Sequence, residues 1–281
     1  MNAILSPIRK ILQPLGIAIT RPETIEGLVL EQQELARMRS FHDFLAALTP
    51  AAMTSALRMF PASKGENFQD IFAMLVLEER RNGFFVEFGA TNGVKGSNSY
   101  LMEKTFDWAG ILAEPARCWH AALQSNRSAT ISHKCVWRET GETLPFREAH
   151  DAGFSTLDFL AAKDRHAARR VSAKLYDVET ITLSQLLTEH DAPTVIDYMS
   201  IDTEGSEFDI LENFDFDRFR PLILTVEHNY RPEREKMIAL MTAQGYVRAP
   251  VLISAYDDWF VCATLADRLR DVFIQDDRQN V

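Results

Sequence analysis

From residue 84 onward, short apolar runs alternate with stretches of helical spacing, and this alternation constrains the fold more than any other feature. The runs are FFVEFG (84–89), WAGILAEP (108–115), ATISHKCVW (129–137), TVIDYMSID (194–202), LILTVEHN (222–229) and FVCATL (260–265). SYLMEKTF, PARCWHAALQSN and SEFDILENF lie between them with helical periodicity. Strand and helix in alternation predict a mostly parallel sheet covered by helices. In such a sheet the ligand site lies beyond the carboxyl ends of the strands. Residues 139–180 break the pattern with glycines, a proline and polar residues, which suits a loop or lid over the site.

The chain before residue 84 reads as helical. Leu28, Leu30, Leu35, Met38, Phe41, Phe44, Leu45 and Leu48 recur at three- and four-residue steps and predict one or two amphipathic helices over 22–48. A further helix is expected at 51–59, and another from Phe68 that ends at Asn82-Gly83, with Arg80 and Arg81 near the negative end of its dipole. The expected division is an N-terminal helical extension, 1–68, followed by an α/β domain, 69–281.

A chain of 281 residues with 46% hydrophobic content can bury a full core without a structural metal or disulfides. Cys118, Cys135 and Cys262 are odd in number and widely spaced, so they make neither a disulfide framework nor a ligand cluster, and a cytoplasmic location is expected. The formal charge of −10 repels nucleic acid and anionic bilayers. The local exception is 161–174, where Lys163, Arg165, Arg169, Arg170 and Lys174 suit a solvated helix face. No nucleic-acid partner and no transmembrane segment are expected. Pro7 and Pro14 interrupt the weakly apolar first 22 residues, which could still lie on a surface.

The first apolar run opens into a loop, FFVEFGATNGVKGSNSY. Gly89 lets the backbone turn tightly and leaves room for a ligand, and Gly93 allows close approach farther round. The three-residue gap between them is not the spacing of a dinucleotide fold, and Glu87 would repel a pyrophosphate. A carboxylate at 87 suits an ammonium or another donor. Glu114, closing the next strand, offers two oxygens to the paired hydroxyls of a ribose. A nucleoside-like ligand without a phosphate bridge is favoured.

Two later strands end in acid. Asp197 and Asp202 are five positions apart and so face opposite ways; Asp202, at the strand end, is the active-site candidate, and Asp197 suits a structural role. Gly205 permits the turn into a helix, where one of Glu204 and Glu207 is expected only to cap. Glu227, His228 and Asn229 end the next strand. Neighbouring parallel strands would bring Asp202 to Glu227, and with His228 or Asn229 they form an oxygen-rich site for Mg2+ or another divalent cation. Metal-free catalysis with His228 as general base, and a purely structural network, remain open beside that reading.

Taken together, FFVEFGATNGVKGSNSYLMEK, WAGILAEP, VIDYMSIDTEGSEFDILENF and LTVEHN resemble the FkbM-type family of S-adenosylmethionine-dependent methyltransferases, from about Gln69 to about Phe260. The resemblance implies a doubly wound, mostly parallel, seven-stranded Rossmann-like sheet. It implies that the loop with Gly89, Asn92 and Gly93 holds the methionine part of the cofactor, with Glu87 near its amino group and Glu114 on the ribose. Ser97, Asn98 and Tyr100 match the polar segment that follows, where they would meet the cofactor carboxylate or order the substrate side; Asn98 as a helix cap and Tyr100 as core packing remain open. Phe154 and Ser155 resemble the segment over the site, and Trp137 lies near the presumed adenine edge. Magnesium-using O-methyltransferases of sugars and catechols carry acidic or amide groups at strand ends similar to 202 and 227, with Asp or Asn where this chain has His228.

The activity implied is O-methylation of a hydroxyl on a small molecule or a saccharide, with Asp202 and His228 as the catalytic candidates. A non-catalytic S-adenosylmethionine-binding module is the alternative from another class. The 22–60 helices suit either a roof over the acceptor or a homodimer surface, and their sequence does not choose.

Overall fold

The structure, a computed structural model, describes residues 22–162, 167–250 and 254–274. The expectations for the first 21 residues and for Lys163 and Arg165 lie outside the described residues. The chain divides into two compact units, 1–43 and 44–281. The expected amphipathic segment is a single helix, α1 (Pro22–Ala46), whose Leu28, Leu30, Leu35 and Met38, in the first unit, are exposed.

The second unit begins with α2 (Pro50–Met59), where Thr49 caps the amino end by accepting the Ala52 amide hydrogen and Pro50 fills the first turn. Helix α3 (Gln69–Val76) stops well before the expected Asn82-Gly83 boundary. Glu78, Glu79 and Asn82 adopt positive φ, and the chain reverses there to enter β1 (Phe84–Phe88). Arg80 consequently leaves the helix end and bonds Asp197 Oδ1 at 2.6 Å, while Arg81 reaches Asp107. Asp197 Oδ2 accepts the Phe84 amide hydrogen, so this carboxylate ties β1 to the start of a neighbouring strand.

After β1 come α4 (Tyr100–Phe106), β2 (Ala109–Ala113), α5 (His120–Asn126), β3 (Thr130–Ser132) and β4 (Cys135–Val136). The run expected as one strand over 129–137 is thus two. Next follow β5 (Thr143–Glu148), β6 (Thr156–Leu157), β7 (Lys174–Ile181), α6 (Leu183–Glu189), β8 (Val195–Ile201), α7 (Glu207–Glu212) and β9 (Arg220–Glu227). The described chain closes with α8 (Arg234–Ala243), β10 (Tyr246–Arg248), β11 (Asp257–Cys262) and α9 (Arg268–Val272).

Seven strands form one sheet in the order β10-β11-β9-β8-β1-β2-β3. The five from β9 to β3 are parallel, and near one edge β11 runs antiparallel to both of its neighbours, β9 and β10. The central strands are buried on both faces, which is why they read as continuous apolar runs. Val86, Ile111, Ile196, Met199, Leu224 and Phe260 belong to one core with Leu186, Ile210 and Met241 from helices.

The segment expected as an irregular lid is instead the greater part of a second sheet, β4-β7-β5-β6. Its strands alternate polar and apolar residues, as in LPFRE and KLYDVETI, because only one face packs on Cys135, Trp137 and Leu160. A search for continuous apolar runs passes over such a pattern.

Candidate functional site

Strand register assembles the site. Phe88 pairs with Ala113 and with Ile201, and Ile201 pairs with Val226. One step beyond those pairs, Glu114, Gly89, Asp202 and Glu227 form a single row across the carboxyl edge, which Asp257 of β11 extends through its pairing with Glu227. Every position in the row is acidic except Gly89, where no side chain fills the gap between Glu114 and Asp202.

Gly89 has φ +69°, and a Cβ there would lie 2.1 Å from the Asp202 carbonyl oxygen. Both constraints demand glycine. Gly93, at φ +77°, is closed off by Arg127 and Leu123, which a Cβ would meet at 2.6 and 2.7 Å. Asn92 Oδ1 accepts the amide hydrogens of Val94 and Lys95 and shapes the turn between them.

Glu87 lies behind this loop. Its oxygens accept hydrogen bonds from Ser97 Oγ, the Asn98 amide and Ser99 Oγ, and Arg127 stands 3.8 Å away. Arg127 also donates to Ser97, Ser99, Glu103 and the Gly93 carbonyl. Glu87 and Ser97 therefore brace the loop from within rather than line a cavity. Asn98 does line the larger cleft: its Nδ2 donates to Ser200, while its buried Oδ1 has no partner. Helix α4 starts without a side-chain cap from Asn98, and Tyr100 packs beside Lys64 and Arg127. Arg127 is a buried residue that sequence reasoning missed, because an arginine in SNRSAT carries no local sign of burial, and Arg170, expected on a solvated helix face, is buried as well.

Glu114 borders a cavity of about 630 Å³ whose walls include Val136, Phe146 and Leu157. Its two oxygens accept the amide hydrogens of Thr91 and Ala116 at 2.8 and 2.7 Å, and burial pushes its pKa up to about 7 against those bonds. Trp137 is not part of that wall; it packs behind it against Phe159. Ser155 faces the cavity, and the 3-10 turn with Phe154 faces a larger cleft of about 1170 Å³. The two spaces share Gly89, Thr91, Asp202 and Glu204 as a common wall.

At that wall the carboxyl oxygens of Asp202, Glu204 and Glu227 lie within 4.8 Å of one another. Burial raises the pKa of Asp202 to about 8, with the charges of Asp257, Glu207 and Glu66 adding to it, although the side chain keeps an edge on the cleft. Glu227 is raised well above the carboxylate range by burial and then by Asp202, with which it shares a hydrogen bond. Such a pair retains a proton at neutral pH. Glu204 pairs with Arg170 at 2.8 Å. Neither glutamate beside the Gly205 turn caps the helix, which starts without a side-chain cap; Glu207 instead ties the turn before it, its Oε1 accepting the amide hydrogens of Thr203 and Gly205.

His228 and Asn229 are not part of the cluster. Successive residues of an extended chain point to opposite sides, so Glu227 at the end of β9 faces the cleft and His228 turns away. The ring lines a different cavity, where Nδ1 accepts the Tyr230 amide hydrogen at 3.0 Å. Asn229 donates its amide hydrogen to the Tyr256 carbonyl and lines none of these spaces. Glu204 stands where His228 or Asn229 was expected; its φ of +57° in the turn after β8 brings its carboxylate back toward the row. All three cysteines are free thiols, and no described helix is long and apolar enough to cross a membrane.

A family model, the methyltransferase FkbM domain, matches residues 87–248, more than half of the chain. No curated protein matches it significantly. Among solved structures it is similar to precorrin-6y C5,15-methyltransferase from Geobacter metallireducens, at 10% identity over 68% of this chain and 85% of that one, with a TM-score of 0.34. It is also similar to the fibrillarin/Nop5p complex, at 11% identity over 67% and 77% of the two chains, with a TM-score of 0.31. Likeness of that size says nothing about substrate.

Proposed function

The chain belongs to the FkbM methyltransferase family, and from that membership we propose that it is an S-adenosylmethionine-dependent O-methyltransferase acting on a hydroxyl of a small molecule or a saccharide. We assign catalysis to residues 69–281, read as a Rossmann-like methyltransferase domain, with 1–68 as an N-terminal extension. The observation that carries the reading is the Gly89 gap in an otherwise acidic row, with Glu114 on one side and the three-carboxyl cluster on the other.

Each Glu114 oxygen spends one lone pair on a backbone amide and keeps another for a ribose hydroxyl. Val136, Phe146 and Leu157 offer an apolar bed for an adenine ring. Because the Glu87 oxygens are taken by the loop, the amino end of the methionine part falls to the unpartnered Asn98 Oδ1. S-adenosylmethionine, when bound, supplies an electrophilic methyl group to an acceptor oxygen. The protein aligns that oxygen and takes its proton.

For the proton, the Asp202–Glu227 pair is better suited than His228. With Nδ1 accepting the Tyr230 amide hydrogen, the neutral ring carries its proton on Nε2 and donates there. A carboxyl pair titrating near ambient pH is a stronger base than an ordinary carboxylate. The same residues with Glu204 form an all-oxygen donor set for a divalent cation, which would relieve their mutual repulsion and acidify a hydroxyl bound beside them.

The deciding test is calorimetric titration of the folded protein with S-adenosylhomocysteine, repeated after EDTA and with magnesium restored. Saturable binding that drops at least about tenfold in Glu114→Ala is expected, since one lost charge-assisted contact is worth about 1.5–3 kcal/mol. Absence of binding by folded wild-type protein overturns the cofactor assignment.

A further inference from the structure

Glu227 also walls a separate cavity of about 520 Å³, whose other sides include Gly205, Glu207, Phe208, His228 and Arg231. Seven buried side-chain polar atoms among the described residues lack a hydrogen-bond partner, and three of them belong to residues that line this cavity: Glu227 Oε2, His228 Nε2 and Arg231 Nη1. His228 is only 6% exposed and Glu227 only 8%. Buried polar atoms left unpaired are costly to the fold, so three on neighbouring residues of one cavity mark it as a place that can take a polar ligand.

The neighbouring backbone is built around one of these groups. A Cβ at Gly205 would come within 1.7 Å of Arg231 Nη1, so the turn after β8 leaves space for the guanidinium and for nothing larger at 205. Two of the other charged groups at the cavity are engaged elsewhere, while Glu233 stands 3.8 Å from Arg231 Nε and leaves Nη1 unmatched. Arg234 makes two bonds of 2.8 Å to Asp258, and Glu207 holds the Thr203 and Gly205 amides.

The unmatched chemistry is two N–H donors and one carboxyl. The His228 donor follows from its tautomer, since Nδ1 already accepts the Tyr230 amide hydrogen. An anion suits the donors but meets Glu207, Asp209, Glu227 and Glu233 in the lining; a cation suits those acids but meets Arg231. An uncharged oxygen function satisfies all three groups: its oxygen accepts from His228 and Arg231, and an adjacent hydroxyl donates to Glu227.

We propose that this cavity is a specificity subsite of the acceptor, in which His228 and Arg231 hold an uncharged oxygen substituent, a hydroxyl or carbonyl, next to the hydroxyl that Glu227 receives. The proposal rests on the methyltransferase reading only in calling the ligand an acceptor; the subsite itself is testable without cofactor.

The test uses the full-length protein with 15N-labelled histidine, titrated separately with trans-1,2-cyclohexanediol, cyclohexanol and inorganic phosphate while the ring signals are followed by NMR. The His228 signal is identified with His228→Gln or, should that variant not fold, by its contact with the Tyr230 amide proton. A saturable shift of the Nε2 resonance with the diol is expected, with affinity about tenfold weaker for cyclohexanol and again in Arg231→Met, the size of one lost hydrogen bond. Phosphate should leave the signal in place. A His228 shift with phosphate but not diol, or with none of the three, overturns the proposal in wild-type protein alone. S-adenosylhomocysteine binding is measured on the same sample: its loss with the diol response intact refutes the cofactor reading and supports the subsite, and the reverse result refutes the subsite alone.

Discussion

Glu114 shows how one residue can carry both recognition and a cost to the fold. Burial outweighs two amide hydrogen bonds and leaves its pKa at about 7. Binding a ribose diol through both oxygens favours the ionised form, so S-adenosylhomocysteine affinity should rise as pH increases through about 7 and flatten above it. Glu114→Gln should bind more weakly and without that pH dependence, which calorimetry at pH 6 and 8 would read. Gly89 is the second residue with a sharp expectation. Gly89→Ala combines positive φ with a 2.1 Å approach to the Asp202 carbonyl, so it should destabilise by more than about 1–3 kcal/mol, the cost of left-handed strain alone. An alanine variant that unfolds in denaturant like wild type would contradict the close approach.

At the scale of elements, the loop after β1 is held by a buried polar hub rather than by the cofactor. Glu87 and Arg127 are both buried, and the hydroxyls of Ser97 and Ser99 lie between them. Removing one side leaves the other unmatched, so Glu87→Ala should cost about 3–5 kcal/mol in chemical denaturation. Glu87→Gln should cost less, since its amide retains an acceptor oxygen. A surface-like change below about 0.5 kcal/mol in Glu87→Ala would rule out the hub. This hub was only half legible in the sequence. VEFG marks a strand running into a glycine turn, but whether Glu87 faces the ligand or the interior depends on Arg127, 40 positions later. The second sheet was missed for a different reason: one-sided burial gives β5 and β7 a polar alternation that resembles loop composition.

For the molecule as a whole, the acidic row makes stability depend on pH. Glu114 and Asp257 are raised to about 7 and Asp202 to about 8, in each case first by burial. The unfolded chain gives up those protons near pH 4, whereas the fold holds them longer. The stabilisation from keeping these carboxyls neutral is therefore complete below about pH 4 and is lost as pH rises through 7 to 8. The melting temperature should fall over that window, and Asp202→Asn should lessen the fall. Magnesium should reverse part of it at pH 8, because a cation favours the ionised cluster. Calorimetric scans from pH 5 to 8.5 with and without magnesium would test this. A flat profile would show that the row is solvated, and an absent magnesium effect would remove the cation from the proposal.

The sequence by itself determined most strands of the large sheet, though not β10, together with the glycine turn after β1 and the acidic residues at the strand ends. These depend on local features: apolar runs of strand length, the conformational freedom of glycine and the position of a charge after such a run. Tertiary structure alone decided which acids meet. The register between β1, β2, β8 and β9 aligned Glu114, Gly89, Asp202 and Glu227 in one row. Chain alternation then turned His228 out of that row, and the left-handed backbone at Glu204 brought in a carboxylate that the expected set did not contain. Pairing register and backbone handedness arise from contacts between segments far apart in the chain, so no window of the sequence contains them.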